Sequence, residues 1–272
     1  MPQELLDRLD VAVVSLYYQF ADGEPVREVD VADYGEFYSR LESSDESPIT
    51  SPPTPEDFRA AYEPLLDAGH GIVSVHISSS ISDTCANARR AAEELGAADR
   101  IRVVDSTGAG AQTALVAIAA AKAAGGGELE QVAGVAQQAR QESKIYWLLD
   151  TLEYLKRGGR IGTAAAWIGS RLQVKPILTV ESDVRAVERV RTRERGIERL
   201  VDFARERRAL GADAWALGHI RVPEDAQALA KQLQEVFWRP PEFVSEVGPV
   251  IGTHSGPGFL GLSTLPSRFL AS

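Results

Sequence analysis

One cysteine, Cys85, stands in 272 residues. An internal disulfide is excluded, and such a chain fits a reducing compartment, so a cytoplasmic location is expected. Histidine is scarce too. The four histidines, His70, His76, His219 and His254, are scattered. No Cys-x-x-Cys or His-Glu-x-x-His spacing offers a metal site. Basic charge is short: 29 Lys and Arg face 39 Asp and Glu, for a net charge of -10. With no basic patch, nucleic acid is not an expected partner. Long apolar runs are missing. The longest, Ala114 to Ala121, is far too short to cross a bilayer, and no secretory leader pattern opens the chain, so stable membrane insertion is not expected. Catalytic signatures are missing as well. There is no Gly-x-Ser-x-Gly elbow and no Gly-x-x-x-x-Gly-Lys-Ser/Thr loop, and Gly108-x-Gly110 lacks the third glycine of a dinucleotide loop. The commonest hydrolase and nucleotide-enzyme designs are thereby disfavoured. No internal repeat is evident.

What is present is a globular composition, 44% hydrophobic and 25% charged, with length for a real core. Val11 to Phe20 reads as a strand, and Asp33 to Leu41 as a short helix followed by a polar turn at Glu42–Glu46. Thr54-Pro55-Glu56-Asp57 is a strong helix start: a capping hydroxyl, a proline at the first position and acids in the first turn. Phe58, Ala61, Tyr62, Leu65 and Leu66 then share one helical face. Strands are expected at Gly71–Ile77 and Ile101–Val104. Helices are expected over 83–95, Ala111–Ala124 and Leu129–Glu142. This alternation predicts a mostly parallel sheet covered by helices. After Lys144 the pattern turns mixed. It has a strand at Ile145–Leu149, helices at Thr151–Lys156 and Thr163–Leu172, and a hairpin of Lys175–Val180 and Val184–Arg191 around Ser182-Asp183. Helix 194–209, strand 213–220, helix 223–237 and strand 242–247 follow. The expected fold class is α/β in two domains, an N-terminal one over 1–144 and a C-terminal mixed α/β one over 145–272.

Three hydroxyl-rich turns follow predicted strands: Thr50-Ser51, Ser78-Ser79-Ser80-Ile81-Ser82, and Asp105-Ser106-Thr107. Ligands bind outside the carboxyl ends of strands in open parallel sheets, where helix N-termini favour anions. Plainer roles stand beside this. Ser82 sits where a helix cap belongs. Ser78 to Ser80 suit a turn, and Asp105 can orient a turn through its own backbone. His76, inside a strand, suits a structural role. His254 stands out, between two hydroxyls in the glycine- and proline-rich run Gly248-Pro249-Val250-Ile251-Gly252-Thr253-His254-Ser255-Gly256-Pro257-Gly258, which reads as a ligand-contacting loop.

Six segments in order, over nearly the whole chain, resemble the DegV family of bacterial fatty-acid-binding proteins. They are Thr50-Ser51-x-Pro53-x-Pro55, the Ser78–Thr84 stretch, Val104-Asp105-Ser106, Leu152-Glu153-Tyr154-Leu155-Lys156-Arg157-Gly158-Gly159-Arg160-Ile161-Gly162, Lys175-Pro176-Ile177-Leu178, and Gly248 to Gly258. The resemblance implies two α/β domains with a long-chain fatty acid buried between or within them. It implies that Thr50 and Ser82 hold the carboxylate, with His254 as a third contact. The chain would need no cofactor. A separate fatty acid kinase subunit would use ATP to convert the presented acid to acyl phosphate, and Arg160 is the candidate contact for that kinase or for the phosphate.

Two departures matter. The family's Ser-Gly-Thr reads Ser82-Asp83-Thr84, which places a charge beside an expected carboxylate. The chain also opens at Met1-Pro2, where family members have already completed a first strand. Either the start site is misassigned, or the sheet is rearranged, or this is a degenerate member of the family. Two other readings are carried forward: an acyl or ester hydrolase using Ser82 and His254, and a degenerate binding module without ligand.

Overall fold

The structure, a computed structural model, describes residues 1–44, 47–168 and 174–271. Helix α1 (Gln3–Leu9) leads into a small antiparallel sheet of β1 (Tyr17–Gln19), β2 (Val26–Arg27) and β3 (Ile49–Ser51), in the order β2-β1-β3. Between β2 and β3 lies α2 (Gly35–Ser43), which buries Phe37, Tyr38 and Leu41. Helix α3 (Pro55–Asp67) starts where expected. Thr54 accepts from the Asp57 N–H, and the Asp57 carboxylate accepts from the Thr54 N–H, closing a capping box. Phe58 and Tyr62 are its buried face.

Strands β4 (Ile72–His76) and β5 (Ile101–Asp105) pair in parallel across α4 (Thr84–Glu94). This parallel sheet has two strands, and β4 carries a ladder on one edge only among the described residues. Helices α5 (Ala111–Ala124) and α6 (Leu129–Glu142) follow on their expected residues. Helix α5 is apolar around most of its circumference because it is covered on several sides. It packs against β4 on one side and, on the other, against the strands of the second sheet.

That second sheet holds β6 (Lys144–Leu148), β7 (Lys175–Glu181), β8 (Asp183–Val190), β9 (Ala214–His219), β10 (Val244–Glu246) and β11 (Leu260–Leu265). Its order is β10-β9-β11-β6-β7-β8; β10 and β9 are parallel and the other pairs antiparallel. Helix α7 (Glu153–Arg157) follows β6, α8 (Arg193–Ala209) and α9 (Pro223–Phe237) cover one face, and α10 (Pro249–Ser255) precedes β11. An α/β fold with a parallel sheet early and a mixed sheet late is the expected class, joined by the small antiparallel sheet.

Several local expectations needed tertiary correction. The strand expected over Val11–Phe20 shrinks to Tyr17–Gln19, because residues 11–16 find no ladder partner among the described residues. The helix expected over Thr163–Leu172 is a 3-10 turn over Gly162–Trp167; residues 169–172 lie outside the described residues. Its start, Gly162, has φ +52, which no right-handed helix accommodates. Of the turn expected at Glu42–Glu46, residues 42 and 43 extend α2, and 45 and 46 lie outside the described residues. Helix α1 and strand β11 were not expected at all. Strand β11 is buried along its whole length, so it shows no period-2 alternation to read.

The largest correction is the Gly248–Gly258 segment. It is not a loop but helix α10, with His254 in its last turn. Pro249 at the first position favours this, and Gly256 at φ +73 stops it. The neighbours decide the rest. The Glu28 carboxylate accepts from the Val250 N–H at 2.7 Å, and the Tyr38 hydroxyl donates to Val247 O. Burial pushes the Glu28 carboxyl up from its ordinary pKa, and the bond from Val250 acts against that rise. A Cβ at Gly252 would stand 2.3 Å from the Tyr38 hydroxyl. The glycine is there for close packing of α10 on α2, not for loop freedom.

Candidate functional site

The carboxyl ends of β4 and β5, the end of α7, the β7–β8 turn, β3 and α10 enclose a cavity of about 490 Å³. Thr50, Ser82, Arg160 and His254 all line it. Residues more than two hundred positions apart therefore share one wall system.

Thr50 lies on β3, and its Oγ1 is 2.9 Å from His254 Nε2. His254 Nδ1 is buried without a partner among the described residues. The arrangement that leaves no buried N–H unpaired puts the ring proton on Nε2, donating to Thr50 Oγ1. Thr50 then keeps its own O–H for an incoming acceptor. Burial, followed by the nearby Arg160 charge, lowers the His254 pKa to about 4. The imidazole is neutral at pH 7, so positive charge at this end comes from Arg160 and not from His254.

Arg160 is exposed and forms no ion pair among the described residues. Its Nη1 donates to Gly158 O at 2.9 Å, and its Nε points to Ile81 O at 3.5 Å. These bonds hold a guanidinium at the cavity mouth with donors to spare. The glycines flanking it make room. A Cβ on Gly158 would stand 2.0 Å from His254 Nδ1, and one on Gly162 would stand 1.9 Å from Val184 O. A Cβ on Gly256 would lie 2.1 Å from Tyr154 Cδ2. Gly158 is thus fitted to His254, and Gly256 to Tyr154, where α7 and α10 meet.

Ser82 Oγ meets Thr84 Oγ1 at 2.7 Å and accepts weakly from the Thr84 N–H at 3.4 Å. It supports the start of α4 from one residue outside the cap, Asp83, while lining the cavity. Capping and ligand contact are compatible roles here. Asp83 is exposed at the mouth, where water solvates its charge. Ser82 and His254 do not bond to each other: one is committed to Thr84 and the other to Thr50. The nucleophile and base that a hydrolase would need are not assembled.

The rest of the cavity went unnoticed in the sequence. Trp147 on β6, Leu155 on α7, Val184 on β8, and Val250 and Ile251 on α10 supply apolar wall. Nothing distinguishes these residues from core by pattern alone. Trp147 also packs edge-to-face on Phe259, as core aromatics do. Ser78, expected in a turn, is buried and donates to Ser182 O in the β7–β8 turn. Among the described residues no group of three His, Cys, Asp or Glu could hold a metal ion, and no helix is long and apolar enough to cross a membrane.

Comparisons agree with this architecture. Residues 1–267 match the model of the family described as "Uncharacterised protein, DegV family". A DegV domain-containing protein of Streptomyces coelicolor is 40% identical over 220 residues, covering 78% of this chain and 76% of that protein. A Thermus thermophilus structure described as "Fatty Acid Binding of a DegV family Protein" superposes with a TM-score of 0.88 at 32% identity, covering 98% of this chain and 95% of that one. The Bacillus subtilis protein DegV, described as a fatty acid binding protein, gives a TM-score of 0.85 at 30% identity, covering 97% and 95%. On its fold, its ordered motifs and these matches, the chain belongs to the DegV family.

Proposed function

We propose that this protein binds a long-chain fatty acid with its tail in the cavity and its carboxylate at Thr50 and Ser82, while His254 orients the Thr50 hydroxyl from behind. The observation that carries the reading is the Thr50–His254 bond at the rim of a partly apolar cavity. It leaves one hydroxyl proton free to meet an anion. Structural relatives at 30% and 32% identity are described as fatty-acid-binding proteins, which supports the same ligand class.

The energetics suit it. Each buried CH₂ contributes roughly 0.8 kcal/mol before association costs, so the tail supplies most of the affinity. Hydrogen bonds to an ionised carboxylate are stronger than neutral ones and fix its register. Arg160, exposed and without an ion-pair partner among the described residues, compensates charge at the mouth. A carboxylate held there is reachable from outside. The same geometry suits presentation to a separate ATP-dependent fatty acid kinase, with Arg160 placed to meet the kinase or an acyl phosphate.

Denaturing extraction of the purified protein followed by mass spectrometry should find long-chain fatty acid at up to one per chain. Delipidated protein should bind palmitate on calorimetric titration. Absence of both signals would end this reading. If binding holds but no hydroxylamine-trapped acyl phosphate forms with ATP and a fatty acid kinase, the presentation half alone is lost.

A further inference from the structure

The carboxylate of Asp105 closes a ring of hydrogen bonds around three of the cavity's walls. Asp105 ends β5 and lies across from His76, the last residue of β4. Its Oδ2 accepts from Ser79 Oγ at 2.6 Å and from the Ser79 N–H at 3.3 Å. Its Oδ1 accepts from the Thr107 N–H at 2.7 Å. Thr107 is held at φ +54, an uncommon conformation for a β-branched residue. So turned, its carbonyl accepts from the Ser182 N–H at 3.1 Å. Ser182 has φ +66, and its own carbonyl accepts from Ser78 Oγ. Ser78 precedes Ser79 in the chain, and the ring is complete.

The ring joins the loop after β4, the loop after β5 and the turn between β7 and β8. Ile77, Ser79 to Asp83, Ala109, and Asp183 with Val184 are the cavity-lining residues of these three segments. Two non-glycine residues in left-handed conformations mark a place where local strain is held by surrounding bonds. Asp105 is the one charged member of the ring, and it alone binds two of the loops through separate oxygens.

We propose that Asp105 is a positioning residue for ligand binding. It acts through Ser79 to set where Ser82 stands relative to Thr50 and His254, and through Thr107 to hold the β7–β8 turn as the facing wall. This inference rests on the fatty-acid reading above and adds to it a residue that touches no ligand.

The test compares wild type, Asp105→Ala and Asp105→Asn on palmitate and on 1-hexadecanol, which has the same tail without the charge. Asp105→Ala should weaken palmitate about tenfold and hexadecanol less than twofold, because misplaced donors cost an ionised acceptor most. Asp105→Asn keeps the acceptor for Thr107 and can donate to Ser79 Oγ, so it should recover most of the palmitate affinity. Hydrogen exchange of the unliganded proteins should show faster exchange at residues 79–83 and 182 in Asp105→Ala. Equal loss for both ligands, or no loss for either, overturns the proposal, as does unchanged exchange at those amides. Wild type that binds neither ligand overturns the fatty-acid reading and this one together. Wild type that binds palmitate with an unaltered Asp105→Ala overturns this one alone.

Discussion

Two part-buried histidines in this molecule look alike in their hydrogen bonds and their pKa. His76 ends β4, with Nε2 2.7 Å from Ser74 Oγ, which in turn lies 2.7 Å from the Tyr62 hydroxyl. His254 ends α10, with Nε2 2.9 Å from Thr50 Oγ1. Burial is the main cause of depression for both, and both fall to a pKa of about 4. They differ in what lies beyond the hydroxyl. The His76 chain ends at Tyr62 within the core beneath α3, with Phe58 edge-on at 5.1 Å. The His254 pair faces a cavity with an exposed guanidinium at its mouth. A depressed pKa and a short hydrogen bond therefore do not mark a site; a donor left uncommitted at an open volume does.

Acid should treat the two histidines alike, and this is the largest expected effect. Each binds its proton more weakly folded than unfolded, so the unfolded chain holds more protons between about pH 6.5 and pH 4. Stability is fully present above pH 6.5 and is lost as pH falls through that window. For His254 the loss is on the order of 3 kcal/mol. Urea denaturation at pH 7 and pH 4.5 should show it, and His254→Asn should cut the difference by about half, leaving the His76 share. A flat wild-type profile would refute the shared burial of the pair.

Ligand should separate them. Thr50→Ala with Ser82→Ala should weaken palmitate about a hundredfold, taking each charge-assisted bond as roughly tenfold. Tyr62→Phe, at the other histidine, should leave affinity within twofold in the same titration. Equal effects would erase the distinction drawn between the regions. Smaller still is a glycine pair. Gly158→Ala should push His254 aside and weaken palmitate roughly fivefold to tenfold, since a methyl there meets the ring at 2.0 Å. Gly134→Ala, in α6 beside the parallel strands with nothing within 4 Å of the added carbon, should stabilise by about 0.5–1 kcal/mol. Thermal melts and titrations on both variants read the contrast.

Legibility in the sequence followed how local each cause was. The start of α3 was readable because Thr54, Pro55 and Asp57 carry their own capping chemistry. Helices α5, α6 and α9 were readable from length, composition and glycine or proline punctuation. Strand β11 was not, since a strand buried on both faces shows no alternation. Helix α10 was hidden because its glycines answer to Tyr38, Glu28 and Tyr154 on other elements. In the candidate site, Thr50 and Arg160 had plainer roles equally good alone, capping was the better reading of Ser82 alone, and only His254 stood out by its surroundings. The apolar wall around Trp147 and Val250 carried no signal separate from core.

The sequence by itself determined the absences, the α/β alternation and the ordered motifs that identify the family. Those depend on composition and on contacts within a few residues. Tertiary structure alone decided that the glycine-rich segment is a helix, that His254 is neutral and bonded to Thr50, and that Arg160 stands exposed at the cavity mouth. It also decided that Asp105 bonds the loops after β4 and β5, which in turn hold the β7–β8 turn. Each depends on burial and on partners distant in the chain, and neither is written in the local order of residues.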